Sequence, residues 1–109
     1  SRCGVDGQVV LDGKPVGLGW LSLIPERRQS PAVRVRLTGD NRGIFRLNAE
    51  NGPAPGPHRM VLYVVSKRYP ADSSGDYTME NALVFEENVE VRLNSPILWN
   101  LSHSKGQPL

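Results

Sequence analysis

Cysteine occurs once in these 109 residues, at Cys3, which excludes an intramolecular disulfide and any cysteine-rich metal site. Histidine occurs only twice, at His58 and His103, so a site built of three imidazoles is excluded. No apolar run approaches the roughly eighteen residues of a membrane span, and no signal-peptide pattern is present. Excess charge of one sign is also lacking. Thirteen Lys and Arg face eleven Asp and Glu, a net charge of +2, which argues against a nucleic-acid partner. Helix-length windows are scarce too, because eleven glycines and nine prolines interrupt most of them.

What the chain does have is alternation. One domain of this length buries roughly two-thirds of its unfolded surface, and 39% apolar with 22% charged residues suits a folded globular domain. Val5, Gly7, Val9 and Leu11 share one face of a first period-two run. Leu21 and Leu23 share a face of a second, which stops at Pro25. Val33, Val35 and Leu37 alternate with Arg34, Arg36 and Thr38, and Phe45 and Leu47 turn inward after GDNRG. Beyond the loop ENGPAPGP, the run HRMVLYVV places Met60, Leu62 and Val64 on the core side. The segment NVEVRL-NSP-ILWNLS reads as a closing hairpin, with Leu93 opposite Ile97, Val91 opposite Trp99 and Val89 opposite Leu101. DYTMENALVFEEN is credited with one helical turn at most, and residues 66–82 with a long polar connection.

Seven short strands imply an all-β sandwich or barrel. The opening GQVVLDGKPVGLGWLSLIP narrows this. Asp12-Gly13 suits a tight turn, but Pro15, Gly17 and Gly19 weaken the strand that follows. The first two strands are therefore expected in opposite sheets, with the chain crossing the core between them. The expected organisation is an N-terminal extension over residues 1–4, a sandwich over 5–102 and a disordered tail over 103–109.

The phrase G-x-V-x-x-D-G-K-P-V, at Gly7, Val9, Asp12, Gly13, Lys14, Pro15 and Val16, resembles the opening of transthyretin-like sandwich modules. These include the carboxypeptidase regulatory-like domains of exported bacterial proteins. A strand ending in proline (Leu21, Leu23, Pro25), G-x-F-x-L at Gly43, Phe45 and Leu47, and Pro55-Gly56 before a strand resemble that family in the same order. The resemblance implies a seven-stranded Greek-key, prealbumin-like sandwich and an exported, periplasmic or envelope location. Turn and core residues carry it, so it speaks to architecture more than chemistry. The family also contains 5-hydroxyisourate hydrolases, which use histidines, an arginine and a Tyr-Arg-Gly-Ser ending. Here the chain ends Lys105-Gly106-Gln107-Pro108-Leu109, and His58 and His103 are expected to be solvated.

No other catalytic or metal constellation stands out, so the expectation is a protein that is not an enzyme and takes no cofactor or metal. Ser73, Ser74 and Gly75 lie in a loop without a nearby histidine, and the pairs Asp40/Asn41 and Asp72/Asp76 are too few for calcium. A Lys–Asn isopeptide crosslink, as in the related collagen-adhesin B-type domain, needs a buried lysine. Lys14 is expected in an exposed turn and Asn100 facing outward. Cys3 reads as an unpaired thiol near a frayed terminus. The alternative of lipid attachment is disfavoured by Arg2, because such cysteines follow a small residue.

Aromatic residues offer more. Trp99 alternates with Ile97 and Leu101 and is assigned to the core. If Leu21 and Leu23 face inward, Trp20 and Ile24 face outward, as do Val61 and Tyr63 of the later strand. Were those two strands neighbours, as the resemblance implies, the four would form an outer apolar patch with Arg34 and Arg36 as a polar rim. A contiguous patch of this kind needs a cover. Tyr69 or Tyr77 of the long connection could supply it, as could a protein partner or a second copy. Carbohydrate stacking on Trp20 and Tyr63 is the alternative. The remaining basic residues, Arg27, Arg28, Arg42 and Arg46, fall in the same third of the chain and read as a solvated face.

Overall fold

Asp12 and Gly13 both take positive φ, 51° and 80°, closing a two-residue hairpin turn whose twist suits its flanking strands. In the computed structural model, which describes residues 2–67 and 77–108, this turn joins β1 (Val5–Leu11) to β2 (Lys14–Pro15). The hairpin lasts two rungs, Leu11/Lys14 and Val10/Pro15. Val16 N–H then donates to Val9 O at 3.1 Å. The Val10/Pro15 rung is thus the non-hydrogen-bonded one, and the missing proline N–H costs no ladder bond. From Gln8 back, the same edge of β1 is occupied by β5 (Ile44–Leu47), and Gly43 O accepts from Val9 N–H at 2.9 Å. After Val16 the chain leaves for the opposing sheet, where it forms β3 (Leu18–Pro25). The expected separation of the first two long strands is present. Its cause is competition for one strand edge; Pro15 only permits it.

The remaining strands are β4 (Val33–Thr38), β6 (Gly56–Lys67), β7 (Tyr77–Val91), β8 (Ile97–Leu101) and β9 (Gln107–Pro108). In the smaller sheet β1 is central, with β2 and β5 along one edge and β8 along the other. The larger sheet runs β4-β3-β6-β7-β9. All pairs are antiparallel except β1 with β8, which is parallel from Gly7/Ile97 to Leu11/Leu101. The described residues hold nine strands rather than seven, and the two additions, β2 and β9, are two residues each.

Several expectations are corrected. The closing hairpin does not form: β7 stays in the larger sheet, and the chain turns through Asn94 (φ 61°) to place β8 beside β1. Val91, Ile97 and Trp99 are buried as their alternation requires, but Leu93 is 66% exposed. From Tyr77 onward, the segment credited with a helical turn belongs to β7. Of the connection over 66–82, residues 66–67 and 77–82 are strand, and 68–76, with Tyr69, Asp72, Ser73, Ser74, Gly75 and Asp76, lie outside the described residues. The tail carries a 3₁₀ turn over His103–Lys105, and β9 pairs with Leu83 and Val84. Cys3 is buried rather than frayed: its N–H and Sγ both reach Pro53 O, at 2.8 and 3.4 Å.

One core lies between the sheets. Val5, Val9, Phe45, Ile97 and Trp99 enter it from the smaller sheet, and Leu21, Leu23, Leu37, Met60, Leu62, Phe85 and Val91 from the larger. The two layers close over each other because period-two alternation gives each one apolar face.

Candidate functional site

The register of the larger sheet assembles its outer face. Trp20 pairs with Arg36 on β4 and with Tyr63 on β6, and Tyr63 pairs with Val84 on β7. The adjacent outward rung runs Arg34, Ser22, Val61, Glu86, and the next runs Ile24, Arg59, Asn88. The six residues singled out in the sequence therefore share one face. They do so because β3 and β6 are neighbours and even-numbered positions of β3 meet odd-numbered positions of β6.

Their roles on that face differ. Trp20, Ile24 and Tyr63 are half-buried, and Arg34 and Arg36 are exposed. The guanidinium carbons of Arg34 and Arg36 lie 5.9 and 5.8 Å from the Trp20 ring centroid. Two cations thus engage one indole, each contact contributing on the order of 0.5–1 kcal/mol at an exposed site. Val61 is 5% exposed, so it braces its neighbours and offers little contact area. Arg59, Val84 and Glu86 complete the face and went unrecognised in the sequence. The signal for Val84 and Glu86 lay in the alternation through Leu83 and Phe85, which the helical reading of that stretch obscured.

Exposed apolar side chains occur on the other sheet as well. Ile44 and Leu98 flank Gln8 on one rung of the smaller sheet's outer face, with 38% and 70% exposure. Two shallow clefts mark the open sides of the sandwich. One of about 420 Å³ lies between β4 and β5, lined by Val35, Arg36, Asn41, Ile44, Phe45 and Arg46. The other, of about 320 Å³, lies between β7 and β8, near Phe85, Glu86, Glu87, Trp99 and Lys105.

The histidines do not meet. His58, expected to be solvated, is 1% exposed; its Nδ1 lies 3.0 Å from Gly56 O, and Nε2 has no partner among the described residues. His103 is exposed at the far end, where its N–H donates to Asp12 Oδ1 at 3.0 Å. Among the described residues no group of three His, Cys, Asp or Glu could hold a metal ion. Nor, among the described residues, is any helix long and apolar enough to cross a membrane. Lys14 and Asn100 are both exposed, as expected, so neither meets the burial that crosslinking chemistry requires.

The chain matches no known family model and no curated protein. Among solved structures it is similar to a candidate adhesin from Bacteroides ovatus, at 14% identity and a TM-score of 0.44, covering 94% of this chain and 44% of that one. It is also similar to a 9R-lipoxygenase from Cyanothece, at 14% identity and a TM-score of 0.37, covering 93% of this chain and 16% of that one. The chain thus spans less than half the length of either, and likenesses this distant assign it no activity.

Proposed function

We propose that the chain is a non-catalytic β-sandwich module of the transthyretin-like, carboxypeptidase regulatory-like kind. In this reading it belongs to a bacterial exported or envelope protein and binds a protein partner, or itself, through the outer face of its larger sheet. The observation that carries the reading is the rung Arg36, Trp20, Tyr63, with Arg34 on the next rung and both guanidinium groups against the indole. Trp, Tyr and Arg are the types that dominate binding energy at protein interfaces. A regular sheet fixes them in register, so little ordering is left for the binding step. The family assignment is supported by the split of β1 and β3 between layers and by Phe45 packing over Gly7 within the G-x-F-x-L phrase. Location follows from the sequence resemblance.

Carbohydrate stacking has less support, because a sugar ring would have to displace a guanidinium to lie on Trp20. Capture of partners from a bacterial envelope extract tests the choice. Trp20→Ala is expected to weaken capture at least tenfold, about 1.4 kcal/mol, whereas Lys14→Ala, on β2 of the other sheet, leaves it unchanged. Capture that survives Trp20→Ala removes the outer face from the mechanism. Binding to a glycan array that is lost in Trp20→Ala replaces the protein partner with a sugar.

A further inference from the structure

The larger sheet carries opposite charges toward its two edges, on β4 and on β7. On its β4 side, Arg34 and Arg36 project from the outer face, and no carboxylate lies within ion-pair distance of either among the described residues. On its β7 side, Glu86, Asn88 and Glu90 project from the same face and Glu87 from the other, all of them exposed. Arg34 and Glu86 stand on one rung, at opposite ends of four strands. Lys105 lies near Glu86 and Glu87, and Arg59 stands beside Asn88 on the neighbouring strand, but the charges on this stretch of β7 itself are three carboxylates.

Both edges are open among the described residues. β4 has no neighbour beyond it, and β9 covers only Leu83 and Val84 of β7. An open strand edge is a template for another strand. Arginines on one edge alone would serve to repel intruders. Paired with glutamates on the other edge, they do something more selective. Two β4 edges repel each other, as do two β7 edges, while β4 and β7 attract.

We propose that this chain associates head to tail with further copies of itself, the β4 edge of one copy pairing with the β7 edge of the next. The geometry allows it. β4, β3, β6 and β7 alternate in direction, so β4 and β7 run antiparallel and a docked copy continues the sheet in the same sense. Lengths agree as well: β4 has six residues, and the stretch of β7 from Glu86 to Val91, beyond the reach of β9, matches it. Aligning Arg34 with Glu90 sets Arg36 between Glu86 and Glu90 on the diagonals. The same register puts Val35 opposite Val89 and Val33 opposite Val91 on the core side. Backbone phase is satisfied too. In four antiparallel strands with these registers, residues of the same parity point their N–H and C=O outward on β4 and on β7, and this register joins like parity. Such an interface is heterologous, so association stays open-ended and does not close at a dimer.

Sedimentation velocity on the full chain tests this. At about 20 mM NaCl and chain concentrations up to about 1 mM, the weight-average mass should climb past that of two chains without a plateau. At about 0.5 M NaCl it should fall to one chain, because screening shortens the reach of the edge charges. Arg34→Glu/Arg36→Glu and Glu86→Lys/Glu90→Lys should each be monomeric alone. Mixed in equal amounts they should regain the open-ended growth, since the reversed edges pair with each other, the unchanged edges pair as in wild type, and the two variants alternate. A wild-type monomer at every concentration overturns the proposal, as does a closed dimer or association that salt leaves unchanged. Variants whose circular dichroism matches wild type but which stay monomeric on mixing overturn it too. If a variant does not fold, the wild-type concentration and salt series still decides. The Glu86→Lys/Glu90→Lys variant keeps Trp20, Tyr63 and both arginines, so its loss of association is separable from any loss of binding on the outer face.

Discussion

At the level of single residues, glycine placement is governed by what lies opposite. A Cβ at Gly7 would strike the Phe45 ring and come within 2.6 Å of Ile97 O, because Phe45 packs directly over β1. A Cβ at Gly17 would meet nothing within 4 Å. Gly7→Ala should therefore cost about 1–3 kcal/mol through overpacking, whereas Gly17→Ala should be neutral or add about 0.4–1 kcal/mol by restricting the unfolded chain. Urea midpoints measured side by side check this, and equal midpoints would contradict the packing described. His58 shows a different lesson of the same scale. Its position two before Met60 and four before Leu62 puts it on the inward face, so burial was legible in the parity. Its polar identity outweighed that parity in the sequence reading, although a backbone carbonyl at Gly56 stood ready to satisfy one ring nitrogen.

Among the strands, the tail contributes a short but consequential piece. β9 pairs with Leu83 and Val84, and Gly106 lies close enough to Phe85 that a Cβ there would crowd the ring. Deleting residues 103–109 should lower stability by about 1–2 kcal/mol, from one or two ladder bonds and the uncovering of Phe85. Hydrogen exchange at Leu83 and Val84 should accelerate more than exchange in β3, and uniform acceleration would show that the tail acts elsewhere. Strand identity was largely legible here, since seven runs of alternation correspond to the seven longer strands. Which face each strand turns inward was legible for the same reason: period two fixes it. The outer grouping of Trp20, Ile24, Tyr63, Arg34 and Arg36 followed from those faces once β3 and β6 were taken as neighbours. Partner choice was not legible. NVEVRL-NSP-ILWNLS has the turn chemistry of a hairpin, yet β8 goes to the open edge of β1, some ninety residues earlier. Local turn residues are equally compatible with both outcomes, and the vacancy beside β1 that decides between them is a property of the assembled fold. β7 was obscured by a break in its own alternation, where Ala82 is buried and Glu87 occupies an inward position at the sheet's edge.

For the whole molecule, the parallel union of β1 and β8 has a mechanical meaning. Both strands point the same way, and their rungs run from Gly7/Ile97 to Leu11/Leu101. Tension applied through Val5 and Leu101 would drag the two strands lengthwise past each other, loading all those rungs at once. A hairpin pulled from its open end would instead unzip rung by rung. Resistance to such traction is set by the barrier to unfolding rather than by equilibrium stability. Single-molecule stretching between these ends should therefore give a high rupture force, and pulling across Val33 and Val91, which peels the larger sheet from its margins, a lower one; the reverse order would mean that the β1–β8 seam is not the clamp. Fitted in a chain of similar domains, the fold would behave as a stiff link, firm along its length and yielding at its sides.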